Sequence, residues 1–223
     1  MRNIIIILSF VVVVLSAACQ NADIRKKMQK DYKQSIQFFG NDLAGHFPDE
    51  LPDSCSFGAT VPKKDNLKMF GFEVDGMLLW KTYSSSQYKA LVSKFINLSN
   101  TAYEANDSSL LLVFSYCDVI KIEGDIYRDQ ELPERQALAK HNVTKASSLP
   151  VPLFEIDEYK GNTISGLPED FELYILDASP GKYIDDKYLQ ECNCLPEKWK
   201  HGYSKGVALS DKKQVVIYWV TVW

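Results

Sequence analysis

The chain predicts an α+β domain with a mainly antiparallel sheet, two amphipathic helices and a C-terminal β-hairpin. Three observations carry that expectation. Apolar residues recur at three- and four-residue spacing in two separate stretches. Apolar runs of strand length follow them, bounded by polar or Gly/Pro-containing segments. The last such run is apolar on both faces, as a strand covered on both sides requires. With 223 residues, 46% hydrophobic and 24% charged, one domain can bury a real core, and disorder or a multi-span membrane protein is excluded. The formal net charge of −4 supplies no basic face for nucleic acid, which is excluded as a partner.

Taken in order, Ile24, Met28, Tyr32, Ile36, Phe39 and Leu43 form the stripe of a first helix, and Pro48 and Pro52 end it. "LKMFGFEVDGMLLWKTY" predicts two strands joined at Asp75–Gly76, because an Asp-Gly pair between apolar runs suits a two-residue hairpin turn. From Ser84 to Ala105 a second helix is expected: serines offer a cap, and Tyr88, Leu91, Val92, Phe95, Leu98, Ala102 and Tyr103 share one face. Leu110 to Cys117 is a continuous apolar run, expected to be a central strand. A short hairpin is expected around Gly124, and a short helix over "PERQALAK" with Pro133 in its first turn. "SSLPVP" is extended or loop-like, and Phe171 to Ala178 is a buried strand. The final hairpin turns at Asp211 to Lys213, with Val216, Tyr218, Val220 and Val222 alternating against Ile217, Trp219, Thr221 and Trp223.

Ahead of all this stands a different kind of segment. Arg2 precedes the twelve-residue apolar run from Ile4 to Leu15, followed by Ser16, Ala17, Ala18 and Cys19. That is the layout of a secretory signal peptide, and the run falls short of the roughly 20 residues a spanning helix takes. "LSAAC" resembles the lipobox of bacterial lipoproteins, although Ser16 stands where a leucine is usual and Leu15 lies one place further out. The resemblance implies that Cys19 is lipidated and becomes the first residue of the mature chain. Cleavage after Ala18 by ordinary signal peptidase is the alternative, and both routes export the domain. Residues 1–18 are thus expected to be signal, 19–23 an anchor and tether, and 24–223 one domain. The whole chain resembles lipoproteins of Bacteroides-like bacteria, which implies an address in the cell envelope, periplasmic or surface-facing, and no activity. Arg25, Lys26, Lys27, Lys30 and Lys33 lie close to that anchor, where they serve as a solvated helix face or face anionic headgroups.

Cys55, Cys117, Cys192 and Cys194 remain. Export makes disulfides among them possible, with three pairings open, and buried free thiols are the alternative. Cys192 and Cys194, one residue apart, are poorly placed to join each other.

"GYSKG", Gly202 to Gly206, fits the G-x-S-x-G pattern that presents a nucleophilic serine between a strand and a helix. Its context fails: a polar, Pro196-containing stretch precedes it, and a strand rather than a helix follows. His46, His141 and His201 all come before Ser204, which rules out the usual serine–acid–histidine order of α/β hydrolases. The glycines are expected to supply unusual φ angles at the entrance of the last hairpin, with Ser204 as a turn or first-strand residue. Cys194 with His201 carries no protease signature, and Cys192, Cys194 and His201 do not match structural zinc spacing. Acidic pairs at Asp157–Glu158, Glu169–Asp170 and Asp185–Asp186 are of the solvated kind, and no phosphate- or dinucleotide-binding fingerprint is present. No catalytic residue, metal or cofactor is therefore expected. Trp199, His201 and Tyr203, flanked by lysines, are the expected contact surface. The expected function is an envelope-anchored, non-enzymatic binding domain with two partners: the membrane, through Cys19, and a protein or glycan. A small hydrolase using the Cys192–Gly206 loop and an inhibitor or immunity-like protein are the alternatives.

Overall fold

The computed structural model describes residues 22–62, 74–99, 101–115, 137–138, 141–142, 149–189 and 194–223. In chain order these give α1 (Ala22–Ala44), β1 (Ser56–Thr60), β2 (Asp75–Thr82), α2 (Ser85–Leu98), β3 (Ala102–Glu104), β4 (Leu111–Val113), β5 (Pro150–Pro152), β6 (Glu172–Pro180), β7 (Gly202–Ser210) and β8 (Val215–Val222). Six strands form an antiparallel sheet in the order β1-β2-β8-β7-β6-β3, while β4 and β5 pair in parallel beside it. The α+β expectation and the C-terminal hairpin are both met.

The two-faced apolar pattern of β8 explains its place. All eight of its residues are buried, and it pairs with β2 on one side and β7 on the other. Val216, Tyr218, Val220 and Val222 join a core with Met28, Tyr32 and Phe39 of α1 and Tyr88 and Phe95 of α2. Val215, Ile217 and Trp219 join a second core with β4, Val151 of β5, Phe154, Phe171 and Trp199. Helices therefore cover one face of the sheet and the β4–β5 layer with its loops covers the other. Each face alternates with period two along the strand.

Helix α1 buries Met28, Tyr32 and Phe39, and the Tyr32 hydroxyl donates to the Pro48 carbonyl, tying the following loop back to the helix. Gly40, at φ 71°, breaks the helical path before its last turn. Helix α2 begins at the Ser84 cap, whose hydroxyl donates to Gln87 Oε1 at 2.8 Å. It stops at Leu98, where Ser99 donates its hydroxyl to the Thr101 and Ile175 carbonyls. The expected continuation to Ala105 is corrected: Ala102 and Tyr103 lie in β3, paired with Tyr174 and Leu173.

Two further expectations change. Asp75 and Gly76 do not turn; they start β2, opposite Val222 and Thr221. Gly76 is needed for close approach instead, since a Cβ there would lie 2.8 Å from the Val220 carbonyl oxygen. The run expected from Leu110 to Cys117 is described as far as Ser115; that part is buried but not central in the main sheet, and among the described residues its Leu111–Val113 segment pairs with β5 alone. The Asn142 side chain lies along β4, accepting from Leu112 N at 2.9 Å and donating to Leu112 O at 2.7 Å. The Gly124 hairpin and most of "PERQALAK" lie outside the described residues, within which Ala137 and Leu138 are helical.

Candidate functional site

The stretch from Trp199 to Gly206 enters the sheet as β7, and period-two alternation decides where each side chain goes. Trp199 closes a short 3-10 turn from Glu197 and is buried beside Trp223, ring centroids 6.2 Å apart. Its carbonyl accepts the Trp223 indole N–H at 2.9 Å. Gly202 lies between them, exchanging backbone hydrogen bonds with Trp223 at 3.0 and 3.1 Å. A Cβ on Gly202 would meet Trp223 Cζ2 at 3.0 Å and Trp199 Cε3 at 3.2 Å.

Tyr203 points to the opposite, helix-covered face. Its ring packs edge-on against Tyr183 at 4.4 Å, and its hydroxyl donates to Asp177 Oδ2 at 2.6 Å. Burial and the adjacent Asp177 carboxylate push this phenol well above its usual range. The expected contact surface is thus corrected. Trp199 and Tyr203 are 2% and 8% exposed and face opposite cores. Half-buried His201, whose carbonyl accepts from Gly181 N at 3.0 Å, is the most open of the three. The flanking Lys198 and Lys200 keep their heads at the surface while the aromatic rings between them turn inward.

Ser204 is the third residue of β7 and is fully buried. Its hydroxyl donates to the Pro150 carbonyl at 2.6 Å and accepts the Trp219 indole N–H at 3.3 Å. It therefore staples the β4–β5 layer to the main sheet. A nucleophile needs a free approach and a base to take its proton; this hydroxyl has neither a path nor a spare proton. Gly206 pairs with Trp219 across the hairpin. A Cβ on it would lie 2.5 Å from Trp219 Cζ2 and Cη2, and closer still to the Tyr174 carbonyl oxygen. Neither Gly202 nor Gly206 has positive φ, so the expected unusual backbone angles are corrected: both glycines make room for indole rings.

The four cysteines are only partly described. Cys55 carries a free, buried thiol that donates to the Pro52 carbonyl at 3.0 Å, so the possible bridge at Cys55 is not formed. Burial pushes that thiol up to about 11, which keeps it protonated and unreactive at neutral pH. Cys194 is buried in the other core, across the sheet from Cys55. Cys117, Cys192, Cys19 and the apolar signal segment lie outside the described residues. Among the described residues no helix is long and apolar enough to cross a membrane, and no cluster of His, Cys, Asp and Glu suits a metal ion.

Two polar devices escaped the sequence reading. His46, just past α1, donates Nε2–H to the Trp219 carbonyl at 2.9 Å. Its Nδ1 has no partner among the described residues. Burial lowers this imidazole to about 4, so it stays neutral and clamps the helix layer onto β8. Asp170 receives the Lys213 ammonium and the Ser210 hydroxyl at the mouth of the last hairpin. Burial alone would raise the Asp170 carboxyl, but the Lys213 and Ser210 hydrogen bonds hold it below its usual range. Neither device has a sequence signal, since each joins residues forty or more positions apart.

One small cavity of about 30 Å³ is lined by Val74, Leu78, Val113, Leu153 and Thr221 among others. Comparisons with protein-family models, with curated proteins and with solved structures find no match to this chain.

Proposed function

We propose that this chain is an exported lipoprotein, held in the bacterial envelope through lipidated Cys19. Its 24–223 domain then acts by binding a protein or glycan partner rather than by catalysis. The observation that carries the reading is the ordered run of Arg2, the Ile4–Leu15 apolar stretch, the small residues Ser16 to Ala18, and Cys19. The non-enzymatic half draws support from the hydrolase-like loop, where Ser204 spends its proton on the Pro150 carbonyl. One observation favours the inhibitor-like variant of this reading: β1 and β3 are the sheet's edges, each with one ladder partner among the described residues. Such edges accept an added strand from a partner.

Fractionation tests the anchor. After a high-salt wash, which releases protein held by charge alone, wild-type protein is expected in the membrane fraction with incorporated palmitate, and Cys19→Ala in the soluble exported fraction without it. A Cys19→Ala protein still retained in membranes overturns lipid anchoring. Capture from envelope extract, with the Cys19→Ala chain as bait, tests the binding half by whether one partner is recovered in stoichiometric amount.

A further inference from the structure

We infer that the outward face of α1 lies against anionic lipid headgroups, so that the helix layer of the domain faces the membrane and the β4–β5 layer faces away from it. The inference rests on the anchoring of Cys19. Lys26, Lys30 and Lys33 recur at four and three residues and so share one face of the helix, with Lys27 at its margin. All four are exposed, and Met28 and Tyr32, on the opposite side, are buried. None of the four lysines makes an ion pair among the described residues. The neighbouring Arg25, by contrast, is neutralised by Asp53. Asp23, three residues before Lys26 and four before Lys27, and exposed Asp31, four after Lys27, are the acidic residues nearest this face on the helix. Four lysines against two aspartates leave this stretch of α1 net positive in a chain whose net charge is −4.

Geometry then limits where that charge can be. Ala22 opens α1 three residues after Cys19, and each residue spans at most about 3.5 Å. The start of the helix is thus held within about 10 Å of the lipidated residue, close to one Debye length in physiological salt. Anchoring alone leaves the domain free to roll about that point. Attraction between the lysine face and anionic headgroups selects one orientation, because the buried stripe of α1 already faces the sheet. The layer holding Phe154, Tyr159 and Trp199 then points outward, toward any partner.

The test uses the mature chain with Cys19→Ala, which keeps every described residue, and sedimentation with vesicles of phosphatidylcholine alone or with about a third phosphatidylglycerol. Binding is expected to the mixed vesicles only, and to vanish in high salt. Lys26→Gln with Lys30→Gln should weaken it about twenty-five-fold, as two headgroup-facing lysines contribute about fivefold each. Lys160→Gln with Lys198→Gln, an equal charge change on the other layer, should shift it less than about threefold, through net charge alone. No binding to the mixed vesicles, equal binding to neutral ones, or equal loss in both pairs overturns the inference. The bait lacks the lipid site, so this outcome is independent of whether Cys19 is acylated, which the palmitate and fractionation measurements decide separately.

Discussion

Replacing Gly206 with alanine asks whether the second glycine of G-x-S-x-G serves space or backbone freedom. The new Cβ would sit 2.5 Å from two ring carbons of Trp219. Carbon atoms in contact rest about 3.5–4.0 Å apart, so methyl and ring must separate by at least about 1 Å. Trp219 is fully buried, edge-on to Phe154 and hydrogen-bonded to Ser204, and has nowhere to retreat. Moving the strand the other way drives it onto the Tyr174 carbonyl and opens the β6–β7 ladder. Overpacking a well-filled core costs about 1–3 kcal/mol, and with both obstacles present we expect the upper value, about 3 kcal/mol. For a domain of this size that lowers Tm by about 6–12 °C.

Urea unfolding followed by far-UV circular dichroism reads the loss as a lower midpoint at constant slope. Trp219→Phe removes the two ring carbons in question. In combination with Gly206→Ala it should be milder than the sum of the single changes by about 1 kcal/mol. Gly206→Asn separates the two explanations, because a positive-φ site tolerates Asn better than Ala, whereas a crowded one tolerates it worse. A Gly206→Ala protein within about 0.5 kcal/mol of wild type, the range of ordinary surface changes, would refute the reasoning, as would Asn proving the milder substitution.

Ser204→Ala should cost about 1–3 kcal/mol by leaving the buried Pro150 carbonyl without its donor. The native wild-type protein should also resist fluorophosphonate labelling, and labelling at Ser204 would reinstate the hydrolase. His46 makes stability depend on pH. The folded imidazole titrates at about 4 against an ordinary value of 6.5, so the unfolded chain takes up the proton first as pH falls. Its contribution is complete above about pH 6.5 and is lost progressively toward pH 4, about 3 kcal/mol in all. Unfolding curves across that range should show a slope that His46→Gln flattens; an unchanged slope removes His46 as its source.

The helical stripe of α1 and the doubly apolar β8 were legible because burial on one face or two writes itself directly into spacing. Side chains that answer to distant neighbours were not. Asp75–Gly76 carries a turn dipeptide, yet Gly76 is held flat by the Val220 carbonyl of a strand over 140 residues away. Lysines around Trp199 and Tyr203 suggested exposure, but strand alternation sends the two rings into opposite cores. Strand β1, Ser56–Thr60, escaped notice because it is short and only half-buried, so it leaves no alternation to read. The G-x-S-x-G pattern lies inside strand β7 rather than at a strand-to-helix turn. Its glycines were misread because seats for Trp219 and Trp223 exist only once β7 meets β8.

Mass spectrometry of the mature N-terminus, on protein purified from the membrane fraction, tests the anchored-lipoprotein reading most directly. The account predicts a chain that begins at Cys19 and carries the added mass of a diacylglyceryl group and, where present, an N-acyl chain. A chain that begins at an unmodified Cys19, or that retains residues 1–18, would contradict it.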